Sequence, residues 1–399
     1  MEVRATRKRL QTSLYEWLAC GVLIACQHPP AAAAPTAMKA PEQSPPVAES
    51  PAPAPRQGCG MSESLRGPQW PRRLGDTSAV ERRPWLAGTT TLALLPDTQY
   101  YTLCEYRHLE RQARWIAEQQ AARNIVAAVT LGDLTDRNRS EEWEFLAASY
   151  APLPQDFPLL LTSGNHDLGL EGKALSRSSG LHEHFDEAWA RRSGALREVM
   201  TPGSIENAFY AVDAGRLKLG ILMLEWSPRG QTVAWANQVL TRHADRRVIV
   251  ATHAYLYHDD TRYDFARLGD SQHWNPLGYA TARGDGAADE NHDGEMLWNN
   301  LVRRHANVFL VVSGHVLADG TGLLSSVGDA GNTVHQILVN YQMLDEGGLG
   351  YLRLLEILPD GRHLQLKTYS PSLGLFSYAP DQDFILQVDP PLLPAQRVP

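Results

Sequence analysis

Five short apolar runs in this chain each end in side chains that offer oxygen or imidazole nitrogen, and that repetition constrains the fold more than any other feature. Residues 92–95 run into Pro96-Asp97-Thr98-Gln99-Tyr100, and residues 125–131 into Gly132-Asp133-Leu134-Thr135-Asp136. Residues 157–161 lead to Gly164-Asn165-His166-Asp167, residues 248–251 to Thr252-His253, and residues 308–312 to Ser313-Gly314-His315. Apolar runs of this length, bounded by Gly and polar residues, predict buried strands. Between them, Leu109, Ala113, Ile116 and Ala117 carry helical spacing across 108–123. Ser140 is an N-cap candidate for a helix through Phe145 and Leu146, and further helices are expected over 233–243 and 295–305. Strand–helix alternation predicts a layered α/β body. In open α/β sheets, ligands gather beyond the carboxyl ends of the strands, so one sheet edge is expected to collect all these donors. Strands at 209–212 and 217–224, then at 323–327, 334–340, 351–358 and 364–369, give the chain a strand-rich finish; the last two join at Pro359-Asp360-Gly361.

Carboxylate, carboxamide and imidazole together form a donor set suited to divalent cations. The order Asp-x-Gln, Gly-Asp, Gly-Asn-His-Asp, His, Gly-His resembles the calcineurin-like metallophosphoesterase superfamily across roughly residues 89–340. Pro-Asp-Thr-Gln-Tyr-Tyr and Ser-Gly-His-Val-Leu resemble a bacterial envelope lipoprotein branch of it. The resemblance implies a four-layer αββα sandwich holding two metal ions. Asp133 would bridge them, Asn165, His253 and His315 would complete the second, and Asp97 with Gln99 would hold the first. His166 would face the substrate as a catalytic residue, with Asp167 orienting its ring. The roles are chemically coherent. A shared carboxylate brings two cations together, a neutral carboxamide adds a ligand without charge, and an imidazole backed by a carboxylate is fixed in tautomer.

Two positions depart from the family pattern. Gln99 stands where the first motif carries His, and Leu317 where the last motif carries a second His. Both missing imidazoles serve the first metal, which is left with Asp97, Asp133, the Gln99 carbonyl, and waters or an unassigned residue such as Asp319. Oxygen-dominated ligation favours Mn²⁺ or Mg²⁺, with iron or zinc as the alternatives. The expected function is metal-dependent hydrolysis of a phosphomonoester or small phosphodiester. A catalytically weakened binding module of the same fold is the alternative that Gln99 and Leu317 motivate, and a nuclease is another. A net charge of −8 and the lack of a basic stripe disfavour nucleic acid. No G-x-S-x-G elbow or P-loop signature occurs.

Bland readings stand beside these. Asp97 is also a common turn residue, and Gln99 also suits a hydrogen-bonding role behind the ligands. The stretch 254–294, rich in Tyr, His and Trp, reads either as a cleft wall or as aromatics packing a loop onto the sheet. Asp289-Glu290-Asn291-His292-Asp293-Gly294 opens like a calcium loop, but its twelfth position is Asn300, so a polar turn with Asp293 capping the next helix is favoured.

The N-terminus reads as a targeting device. A basic head (Arg4, Arg7, Lys8, Arg9) precedes an apolar stretch from 17 to 25, too short for a permanent span, which ends in Leu23-Ile24-Ala25-Cys26. That box resembles the lipobox of bacterial lipoproteins, which implies lipidation of Cys26 and a place on the periplasmic face of the outer membrane or the cell surface. An ordinary cleaved signal peptide is the alternative. Cleavage before Cys26 removes four basic and two acidic groups and moves the charge from −8 to −10. Nine prolines across 29–55 predict an extended spacer. The expected organisation is a signal peptide over 1–25, linker and lead-in over 26–84, a phosphoesterase domain over 85–389, and a tail over 390–399. Cys59 and Cys104 are left to pair or not; the sequence does not decide, nor does it give an oligomeric state.

Overall fold

The computed structural model describes Cys59, residues 70–283 and residues 290–393, so the expected signal peptide, Cys26 and the proline-rich spacer lie outside the described residues. Two mixed sheets build the body. In the first, Thr90–Leu95 lies parallel to Ile125–Thr130, which is parallel to Leu159–Leu160. On its other side run Leu352–Ile357, His363–Ser370, Leu375–Ser377 and Thr77–Ser78, all antiparallel, with Asp383–Gln387 also paired to His363–Ser370. In the second sheet Leu217–Met223, Arg247–Ala251, Val308–Ser313 and Thr333–Val339 are parallel neighbours. Thr321–Val327 closes one edge, and Ala208–Ala214 and Leu196–Val199 the other.

Period-two alternation explains the layering. Leu219, Ile221, Met223, Ile249 and Ala251 share one core cluster with residues of the first sheet, Leu92–Leu95 and Leu354 among them. Their neighbours Leu222, Val248 and Val250 face the opposite way and pack with Val233, Ala236 and Val239 of helix Gly230–Arg242 and with Leu297 of helix Gly294–Asn300. On the far face of the first sheet, helix His108–Gln119 buries Leu109, Ala113 and Ile116, and its Gln112 amide donates to the Gly350 and Tyr351 carbonyls. Each fully buried Leu, Ile or Val contributes about 1.5–3 kcal/mol, so this alternation fixes the register of every strand. The result is the four-layer αββα sandwich with a strand-rich finish.

The structure adjusts several expected boundaries. The ladder near 157–161 holds only Leu159–Leu160, starting just after Pro158, which has no N–H to give. Helix 295–305 breaks at Leu301 into Gly294–Asn300 and a short turn, Val302–Arg304. A helix not read from the sequence, Gln99–Cys104, starts two residues after Asp97. The lead-in expected to run to residue 84 supplies an edge strand, Thr77–Ser78, and a Cys59–Cys104 disulfide ties it to that helix. Among the described residues no helix is long and apolar enough to cross a membrane.

Candidate metal centre

The donors expected at five strand ends meet at one edge of the sandwich. Asp133 follows Ile125–Thr130, His253 follows Arg247–Ala251, and His315 follows Val308–Ser313. One ligand atom from each of the three lies within 4.8 Å of the others, and all three residues are buried. His253 Nε2 stands 3.2 Å from Asp133 Oδ2 and 3.2 Å from His315 Nδ1. The remaining ring nitrogens are committed to backbone carbonyls: His253 Nδ1 to Leu131 at 2.6 Å, and His315 Nε2 to Trp274 at 2.8 Å. Those bonds place N–H on the outer nitrogens, so two imidazole lone pairs face each other across the carboxylate. Two lone pairs cannot hydrogen-bond to one another. They need a proton or a metal cation between them.

The electrostatics describe the same need. Burial alone would lower His253, but the Asp133 carboxylate outweighs it and pushes that imidazole up to about 9. Burial and the His253 charge push His315 down to about 3. Burial opposes ionisation of Asp133 too, yet His253 holds it well below the usual carboxylate range. One positive charge thus serves three buried groups, and a divalent cation would take its place.

Two expected ligands supply the test of fit. Gln99 and Asn165 are 2 % and 3 % exposed, and in each the side-chain oxygen is buried without a hydrogen-bond partner. A buried carbonyl oxygen left bare costs about 1–3 kcal/mol, which ligation of a cation would recover. Three glycines keep the space open. A Cβ on Gly132 would sit 2.4 Å from His253 Nδ1, one on Gly164 2.2 Å from Asp133 Oδ1, and one on Gly314 2.2 Å from Asp97 Oδ1. Asp133 and His315 are themselves held in the left-handed region, at φ 48° and 75°. Such backbone costs about 1–3 kcal/mol per residue and concentrates at functional sites. The residues present fit a bound divalent cation.

Asp97 lies beside the cluster. Its carboxylate accepts from the His315 backbone N–H at 3.0–3.2 Å, from Asn340 Nδ2 at 2.9 Å and from Gln342 Nε2 at 3.3 Å. Burial pushes it up to about 7, despite the nearby His253 charge. Leu317, at the position of the missing imidazole, packs against the core, and Asp319 accepts from the Thr321 N–H.

His166 stands at the rim with 36 % of its side chain exposed. Its backbone N–H donates to Asp133 Oδ1 at 2.9 Å, and its Nδ1 meets the Asp136 carbonyl at 2.8 Å, with Asp136 Oδ1 at 3.6 Å. Burial works to lower this imidazole, but the Asp133 and Asp136 charges win and raise it above its ordinary value. Asp136 therefore does what Asp167 was expected to do. Asp167 is fully buried and accepts from the N–H groups of Gly164, Leu134 and Thr135 and from the Thr135 hydroxyl. Those four donors consume its acceptor capacity, so it staples two motif loops together and leaves the His166 ring to Asp136.

The 254–294 stretch does some of both things expected of it. Tyr255, Tyr257 and Tyr263 are buried in the outer core, which is packing. Trp274 lends its carbonyl to His315 and Tyr279 sets its ring 6.2 Å from that imidazole, which is service to the site. Asp293 accepts from Met296 N–H as the cap of its helix and from Phe265 N–H, as the polar-turn reading expects; Asp289 lies outside the described residues. Four contributors escaped the sequence reading: Asp136, Asn340, Gln342, and Trp226, whose ring lies 5.5 Å from His253 and 5.0 Å from His315. A sixth strand end carrying Asn340-Tyr341-Gln342 was the available signal for two of them.

Comparison with known proteins adds an independent line. The family model of the calcineurin-like phosphoesterases matches residues 90–319. The uncharacterized protein YvnB of Bacillus subtilis (strain 168) is 28 % identical over 294 residues, which cover 70 % of this chain and 20 % of YvnB. This chain thus spans about a fifth of the length of that relative. A purple acid phosphatase from yellow lupin (Lupinus luteus) seeds superimposes with a TM-score of 0.44 at 15 % identity, over 76 % of this chain and 55 % of the other. A dimetal phosphatase from Danio rerio gives 0.43 at 14 %, over 75 % and 98 %.

Proposed function

Because the chain belongs to the calcineurin-like phosphoesterase family, whose members hydrolyse phosphate esters, we propose that it cleaves a phosphomonoester or small phosphodiester with two divalent cations while tethered to the bacterial cell envelope. The observation that carries the reading is the Asp133–His253–His315 cluster, with the bare oxygens of Gln99 and Asn165 as further donors. Asp133, Asn165, His253 and His315 would hold one cation and Asp97, Gln99 and Asp133 the other. Bound there, they would polarise the phosphoryl group and lower the pKa of an attacking water.

The chain's own residues do the rest. Only two carboxylates, Asp97 and Asp133, stand among these ligands, so a pair of divalent cations leaves net positive charge to draw in an anionic ester. The Asp136 carbonyl holds a proton on His166 Nδ1, which leaves Nε2 to deliver its proton to the departing oxygen. Mn²⁺ or Mg²⁺ suits the oxygen-rich side of the site. The basic head, short apolar run and Cys26 box support the tether, and fractionation of cells carrying Cys26→Ser is its test.

A binding module without turnover would have no use for a half-exposed, Asp136-anchored imidazole, which favours the enzyme. The experiment is hydrolysis of p-nitrophenyl phosphate and its bis ester by metal-stripped protein titrated with Mn²⁺. We expect cation-dependent turnover on one of them, and a drop in kcat of about 10²–10⁴-fold in His166→Ala with bound metal unchanged. Two bound cations with no turnover on either ester would move the function to the binding module.

A further inference from the structure

The loop after Thr333–Val339 contains two carboxamides that the family pattern leaves unassigned. Asn340 and Gln342 are both buried, at 0 % and 4 % exposure, and both donate to one oxygen of one carboxylate, Asp97 Oδ2. With the His315 N–H at 3.0 Å, that oxygen accepts three hydrogen bonds. Asp97 Oδ1 receives only the longer arm from the same N–H, at 3.2 Å, and so keeps lone-pair capacity. The clamp therefore decides which oxygen of Asp97 is available to a cation. Asn340 is itself braced, because its Oδ1 accepts from the Gln342 backbone N–H at 2.9 Å.

The Gln342 amide has a second feature. Its Oε1 is buried without a hydrogen-bond partner, as is Gln99 Oε1. Gln342 thus brings a bare oxygen beside Asp97, the carboxylate of the cation position from which two imidazoles are missing, since Gln99 replaces one and Leu317 the other. Resting on the reading of the site as a two-cation centre, we infer that Gln342 is the unassigned ligand of the first cation. Its amide N–H fixes Asp97 while its carbonyl joins Gln99, Asp97 and Asp133 in an all-oxygen set. The exchange of two imidazoles for two carboxamides conserves charge, so the pair keeps its attraction for an anionic ester. It also hardens the ligand field toward Mn²⁺ or Mg²⁺ and away from Zn²⁺.

The test reads metal directly. Stripped full-length protein is equilibrated with Mn²⁺, and the bound metal per chain is counted by elemental analysis while spin coupling between paired Mn²⁺ ions is followed by electron paramagnetic resonance. Wild type is expected to hold two coupled ions. Gln342→Met, close in shape but lacking both amide atoms, is expected to keep one ion and lose the coupling, with the first site weakened at least about tenfold. Gln342→Glu retains a ligating oxygen and adds charge but gives up the donor to Asp97 Oδ2, so it is expected to keep both ions with an altered first-site affinity; this variant carries the question alone if Gln342→Met does not fold. Two coupled ions at unchanged affinity in Gln342→Met, or a first site unaltered in Gln342→Glu, would overturn the assignment. Wild type holding no ion pair would instead strike down the two-cation reading, and the assignment with it.

Discussion

Asp133→Asn is expected to lower kcat by on the order of 10³-fold or more at saturating Mn²⁺ while leaving the chain folded. Asp133 is the one carboxylate in the cluster with His253 and His315, and both of its oxygens are engaged, Oδ2 near His253 Nε2 and Oδ1 with the His166 N–H. Asparagine matches its shape but forfeits the charge that draws cations, and one of its two positions must become an N–H donor. Facing His166 that donor meets another donor, so the amide turns its nitrogen toward His253. That nitrogen then occupies the side from which a cation would be ligated. The substitution also removes the charge that lifts His253 to about 9, so the imidazole is expected to titrate lower in the metal-free variant. Steady-state kinetics beside a thermal melt is the check. Activity within tenfold of wild type would show that Asp133 does not hold the metal pair.

Gly164→Ala is the second large effect, from a change of one methyl group. Gly164 has no positive φ, so backbone freedom does not explain it; proximity does. A Cβ there would stand 2.2 Å from Asp133 Oδ1 and 2.3 Å from the Asp133 backbone nitrogen. A flexible side-chain tip gives way cheaply, whereas a backbone atom held at φ 48° does not. Overpacking of this kind costs about 1–3 kcal/mol of stability. It must also displace the ligand, so kcat is expected to fall about 100-fold, the size of effect that a small misplacement of a reacting group produces. Gly75→Ala, where nothing lies within 4 Å of the added carbon, serves as the control and is expected to behave as wild type. Equal kcat in Gly164→Ala and Gly75→Ala would contradict the tight apposition of the two motif loops.

What the sequence made legible follows from where the signal is dense. Apolar strands followed at once by donor residues are readable because burial and chemistry fall in adjacent positions. That is why Asp97, Asp133, Asn165, His253 and His315 could be named before their geometry was known. Partnerships within loops are not readable in this way. Asp167 adjoins His166, and adjacency suggested that it holds the ring; a left-handed residue at Asp133 and a Gly-opened turn send the Asp167 carboxylate to three backbone N–H groups instead. The orienting group came from Asp136, thirty residues earlier in the chain, within a motif already singled out for Asp133. Asn340 and Gln342 were hidden differently. Their strand was expected at 334–340, but a carboxamide at a strand end carries no cue to its target until the sheets pair. The short strands Thr77–Ser78, Leu375–Ser377 and Asp383–Gln387 were missed because short strands with polar residues show too little alternation to read.

The most direct measurement of the central claim is an anomalous difference map from crystals of the protein grown with Mn²⁺. Two peaks are predicted, one against Asp133, Asn165, His253 and His315, the other against Asp97, Gln99 and Asp133. Manganese located elsewhere on the molecule, with those side chains left in contact only with one another, would contradict the account.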